Sequence, residues 1–168
     1  EAPAAEGVPY LQRKGVQGLG LRYLRDRTAL VPMRDAAGKL WSLQRLLPAD
    51  LVDKDTGEVI GCKLYGPPPR KGGRDKVRSR KTGLFHLVGL QADADPLAVS
   101  LVLVCEGYAT GASLHQAHGH PVAVAFDGGN LRHVAAALRE RFPAARLLVC
   151  GDDDKPTEAR GKGNPGRK

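Results

Sequence analysis

Acidic side chains stand at three places where they could act together: Glu106, Asp127, and the run Asp152, Asp153, Asp154. Each follows an apolar run by one or two residues, the runs being 99–105, 121–126 and 146–150. Carboxylates that converge repel one another unless they share a proton or hold a cation. Hard divalent ions such as Mg²⁺ take oxygen ligands, usually one or two carboxylates, and fill their shell with water and substrate phosphates. Side chains of an extended segment alternate between faces, so Asp152 and Asp154 are expected to point together and Asp153 away. A solvated turn would account for 151–156 standing alone, but not for acids at three matching positions. The residues therefore imply an acidic metal site.

The elements that must position these acids are short. The runs 99–105, 121–126 and 146–150 are rich in Val, Leu and Ala and read as buried strands. Between them, 110–117 reads as a helix capped by Thr110. The segment 131–142 reads as a second helix, capped by Asn130, with Leu131, Val134, Leu138 and Phe142 at helical spacing. Strand–helix–strand–helix–strand with short connections implies parallel strands and right-handed crossovers. All three acidic positions then fall at the carboxyl edge of one sheet, where open α/β sheets place their ligands. The fold class is α/β, a parallel sheet flanked by helices.

The strand ending in Glu106-Gly107 and the later strand ending in Asp152-Asp153-Asp154 resemble the toprim domain shared by topoisomerases and bacterial primases. The phrases at 106–113, 125–131 and 164–166 are similar to the primases of conjugative plasmids and mobile elements, more than to the topoisomerases. A looser likeness reaches back through 31–35, 40–45 and 83–89. The resemblance implies nucleotidyl transfer, the synthesis of an RNA primer from nucleoside triphosphates on a single-stranded DNA template. Glu106, Asp152 and Asp154 would be the catalytic and metal-holding acids, with Mg²⁺ or Mn²⁺, and Glu106 either a ligand or the base for the attacking 3′-hydroxyl. Asp127 would be a more distant ligand or a support, and Gly107 would allow close backbone approach beside Glu106. A toprim nuclease, or a non-catalytic nucleic-acid-binding module of a conjugation relaxase or helicase, would use a similar chain.

The preceding half, 1–95, reads as a smaller β-rich basic subdomain before the toprim part at 96–168. Its first residues suggest a loose terminus, then a short helix over 10–15 closed by glycine, and at 21–25 a strand or helical turn. Segments 29–34 and 40–46 flank the turn signal 35–38 and read as a hairpin, with Pro32 favouring an edge. Trp41, Leu43 and Arg45 share one face, and Trp41 is read as core and not as a base-stacking platform. Residues 53–57 make another turn. From 67 to 81 the composition shifts to Arg70, Lys71, Arg74, Lys76, Arg78, Arg80 and Lys81 with only Asp75 opposed. This is expected to be a mobile loop, either a solvated charged loop or one that attracts a phosphate backbone by charge, no aromatic residue being interleaved. Segment 83–89 reads as a strand returning to the first subdomain's sheet.

The formal charge of +8 over 168 residues agrees with a polyanionic partner. Cys62, Cys105 and Cys150 lack metal-ligand spacing; Cys105 and Cys150 read as buried thiols and suit a cytoplasmic setting. No apolar run is long enough to span a bilayer, and the absence of an initial Met suggests a piece of a larger protein, in which a helicase or relaxase partner would lie in the same chain or a separate one. Other motifs carry little. The glycines at 161–166 lack a preceding strand, Thr157 stands where a calcium loop needs glycine, and His115, His118 and His120 lack a second ligand pair.

Overall fold

A computed structural model describes residues 7–66, 80–91 and 94–151. Asp152 and Asp154 lie outside the described residues, as do Arg70, Lys71, Arg74, Lys76 and Arg78, and with them most of the loop expected to be mobile.

The first sheet has four antiparallel strands in the order β1-β2-β3-β4: Arg22–Tyr23, Ala29–Arg34, Leu40–Val52 and Val59–Tyr65. A short helix, α1 (Pro9–Lys14), precedes it and closes on Gly15 at a left-handed φ of 62°. The expected hairpin is β2–β3, whose turn is fixed by Asp35 Oδ1 accepting from the Lys39 N–H at 2.9 Å. The 53–57 turn joins β3 to β4, a strand the sequence did not reveal; there Asp53 Oδ1 accepts from the Asp55 and Thr56 N–H groups, both at 2.9 Å. Ala29, Val31 and Met33 of β2 point inward and are fully buried.

Across from them, the inward residues of β3 are Ser42, Gln44 and Leu46, which corrects the expectation for Trp41. Met33 pairs with Ser42 but Arg34 pairs with Leu40, so Trp41 is the extra residue of a β-bulge. The bulge and the register of the β2 pairing turn its indole outward, and it is 45% exposed. Pro32 is tolerated because β1 pairs only with Ala29 and Leu30, while Phe85 bridges Arg34; among the described residues its N side meets no strand.

The second sheet runs β5-β7-β6-β8: His86–Val88, Val122–Val124, Leu101–Cys105 and Arg146–Cys150. As expected, β6, β7 and β8 are parallel. The 83–89 segment is a correction: β5 is the antiparallel edge of this second sheet, paired with β7, and only Phe85 keeps a bridge to the first. Alternation decides the choice, since His86 and Val88 are buried against this sheet's core.

Helix α2 (Tyr108–His118) packs with Leu103, Cys105, Val122 and Val124, while α3 (Leu131–Arg141) packs with Val102, Val104, Ala123 and Ala125. The two helices thus cover opposite faces of the sheet. The α2 side also takes Tyr10, Leu11, Val31, Met33 and Leu46, so both sheets share one core there. Gly107, not Thr110, is the N-cap of α2. Cys105 is buried but Cys150 only half-buried, because β8 exposes Leu148 and Val149. Among the described residues no helix is long and apolar enough to cross a membrane.

Candidate active site

Strand β6 ends at Cys105, paired with Val124 on one side and Cys150 on the other, so Glu106 leaves the sheet level with the ends of β7 and β8. The pairing of β6 and β7 continues past the strands: the Ala125 N–H donates to Cys105 O at 2.8 Å and the Phe126 N–H to Glu106 O at 2.7 Å. Phe126 then takes a φ of +76°, a conformation that costs a bulky residue of order 1–3 kcal/mol. The first sheet helps hold it there, with Tyr65 Oη donating to Phe126 O at 3.0 Å and accepting from Gln44 Nε2 at 3.1 Å.

That reversal brings the Asp127-Gly128-Gly129 loop against Glu106. A Cβ on Gly128 would stand 3.0 Å from Glu106 Oε1, so a side chain there would press the carboxylate aside and glycine leaves it in place. Both oxygens of Asp127 are engaged. Oδ1 accepts from the Asn130 N–H at 2.9 Å, capping the 3-10 turn Gly128–Asn130, and Oδ2 forms an ion pair with Lys81. The hydrogen bond that Lys81 donates to Asp127, and the charge of that carboxylate, hold the Lys81 ammonium above its usual pKa. Lys81 Nζ also lies 5.0 Å from the Tyr65 ring centroid.

The expected cap, Asn130, has another task. Its buried amide accepts from the Gly83 N–H at 2.8 Å and donates to Leu84 O at 3.1 Å and Ala125 O at 2.8 Å. It ties the segment that carries Lys81 to the end of β7. Lys63 Nζ, from β4, comes within 3.7 Å of where a Gly107 Cβ would be, which brings a second cation beside Glu106. The sequence reading missed Lys63 and Tyr65. Their signal was the two-residue spacing of Lys63 and Tyr65, which puts them on one face only once the segment is taken as a strand.

Tyr108 is no nucleophile here. It is fully buried, its hydroxyl accepts from the Leu19 N–H at 2.7 Å and donates to Gln17 O at 2.9 Å, and burial pushes its pKa up. Among the described residues no group of three His, Cys, Asp or Glu is placed to hold a metal ion. Glu106 supplies hard oxygen atoms at the sheet edge, the kind a divalent ion takes, and Asp152 and Asp154 lie outside the described residues.

Residues 101–167 match the family model described as Toprim domain. The chain carries a Toprim domain. Two curated relatives, both named DNA primase TraC from Escherichia coli, are 37% and 36% identical to it over 169 aligned residues. The alignments cover 98% and 99% of this chain but 14% and 10% of the relatives, so the chain spans about a seventh or less of their length. Among solved structures, the DnaG catalytic core aligns with 97% of this chain and 46% of its own, at 20% identity and a TM-score of 0.47. Within the matched residues the Asp127-Gly128-Gly129 loop lies against Glu106; Lys81, paired with Asp127, and Lys63, close to Gly107, come from outside them.

Proposed function

We propose that this chain is the catalytic part of a metal-dependent primase, joining ribonucleotides on single-stranded DNA in the replication or transfer of a plasmid or mobile element. The observation that carries the proposal is the junction itself: at the sheet edge Asp127 is paired with Lys81, and Lys63 of the first sheet reaches the Gly107 that follows Glu106. The identity with proteins named DNA primase over nearly the whole chain supports the same reading. Residues 1–95 would supply positive charge and 96–168 the acids.

In this reading Glu106, Asp152 and Asp154 hold Mg²⁺ or Mn²⁺, which when bound offsets charge on the reacting phosphoryl group. Glu106 holds the ion or accepts the proton of the attacking 3′-hydroxyl. Asp127, with both oxygens engaged, positions Lys81 and only through it acts on the substrate. Lys81 and Lys63 draw the triphosphate of a nucleoside triphosphate to the edge, and Arg70, Lys71, Arg74, Lys76, Arg78 and Arg80 draw the template backbone. The free thiols of Cys62, Cys105 and Cys150 suit the reducing cytoplasm. A helicase or relaxase, in the same chain or another, would present the single strand.

Primer synthesis by the full-length protein from ribonucleotides, run beside cleavage of end-labelled DNA, tests this. Primers without cleavage are expected. Asp152→Asn and Asp154→Asn should abolish them while Asp153→Asn is tolerated. Metal-dependent cleavage without primers would replace the reading with a nuclease. Strand binding that ignores Mg²⁺ and survives loss of the acids would replace it with a binding module.

A further inference from the structure

Trp41 lies outside the acidic edge, and its exposure has a built character. The bulge in β3 turns it out of the core, where a large aromatic ring would otherwise contribute most to stability. Once outside, the indole is held in place by three side chains. Its Nε1–H donates to Asp35 Oδ2 at 2.6 Å, Lys39 Nζ stands 4.3 Å from the ring centroid, and the Arg80 guanidinium carbon 4.8 Å. A ring fixed in this way loses little freedom when something stacks on it.

Arg80 connects this ring to the rest of the molecule. It is the last cation but one of the run that begins at Arg70, and the next residue, Lys81, is paired with Asp127. Consecutive Cα atoms are about 3.8 Å apart, so two neighbouring residues reach respectively the exposed ring and the acidic edge. The basic run has no aromatic residue of its own; the fold brings one to its end. Proteins that hold single strands combine such cations with aromatic faces on which bases stack.

We propose that Trp41, flanked by Lys39 and Arg80, is a base-stacking platform for single-stranded nucleic acid, next to the acidic edge along the template's path. This rests on the reading of a single-stranded template. The flanking cations favour a polyanion over an apolar protein partner, although Leu40 beside the ring is 48% exposed as well.

Trp41 is the only tryptophan of the chain, so its fluorescence reports on this position alone. The chain is titrated with a short oligothymidine and with an abasic strand of equal length, without divalent ions. Anisotropy of the labelled strand is followed in parallel. Oligothymidine should quench Trp41 with the midpoint of the anisotropy curve. Trp41→Ala should weaken its binding about tenfold and Trp41→Phe by no more than about twofold, as expected for one stacked base. The abasic strand should bind all three proteins alike. Oligothymidine bound with Trp41 unquenched, and equally well by Trp41→Ala, would overturn the platform and leave the single-strand reading standing. No strand binding by the parent chain would overturn both.

Discussion

Glu106, Asp127 and Lys81 show how single residues set up this edge. The Glu106 carboxylate lies beside a glycine that admits close approach, and that of Asp127 accepts from a backbone N–H and pairs with an ammonium group. His86 shows the opposite use of a titratable group. It is buried, its Nε2 lies 3.0 Å from Leu19 O and so carries the proton of a neutral ring, and burial lowers its pKa from the ordinary 6.5 to about 4, with the Arg34 charge adding to the effect. Between those values the unfolded chain binds a proton that the folded chain refuses. Stability contributed by neutral His86 is therefore present above pH 6.5 and lost as pH falls towards 4, by up to on the order of 3 kcal/mol. His86→Gln keeps a donor for Leu19 but cannot titrate. Denaturant unfolding of the two proteins across this range should show the parent losing more stability than the variant; parallel curves would exclude the effect.

Among the elements, the loop after β7 has the most to hold. Phe126 at positive φ, the Asp127 cap and the Asn130 amide together bring 127 to Glu106 and bind the 83–84 segment to the sheet. Asn130→Asp would present a carboxylate to the carbonyls of Leu84 and Ala125. It should cost about 2–4 kcal/mol by chemical unfolding and lower primer synthesis more than strand binding, because Lys81 loses its fixed approach to Asp127. Equal stability of the variant would mean that the clamp contributes nothing. The sequence revealed the strands and helices around these acids because buried parallel strands are continuous apolar runs and the intervening segments carry helical spacing. Asn130 was legible as a helix N-cap by type and place, yet its amide turns inward, because buried carbonyls from two other segments compete for it. Trp41 was misread because alternation says which residues share a face but not which face is inside; the bulge and the pairing with β2 decide that.

Across the whole molecule, two sheets share a core on one side and meet again at the acidic edge through Gln44, Tyr65 and Phe126. That second meeting was not legible, since it depends on β4 and on how the sheets dock, neither of which leaves a local pattern. Of the basic run read from the sequence, Lys81 pairs with Asp127 and Arg80 lies over Trp41, while Lys63, close to Gly107, was not legible. In the proposed reading Glu106 and the acids after Gly151 hold one divalent ion beside the Asp127 loop. Titration of the isotope-labelled chain with Mn²⁺, followed by NMR beside Asp154→Ala, tests it most directly. Selective broadening of Glu106, Gly128 and Gly151 at low Mn²⁺, lost in the variant, is the predicted result. Broadening spread over the surface, or unchanged in Asp154→Ala, would contradict it.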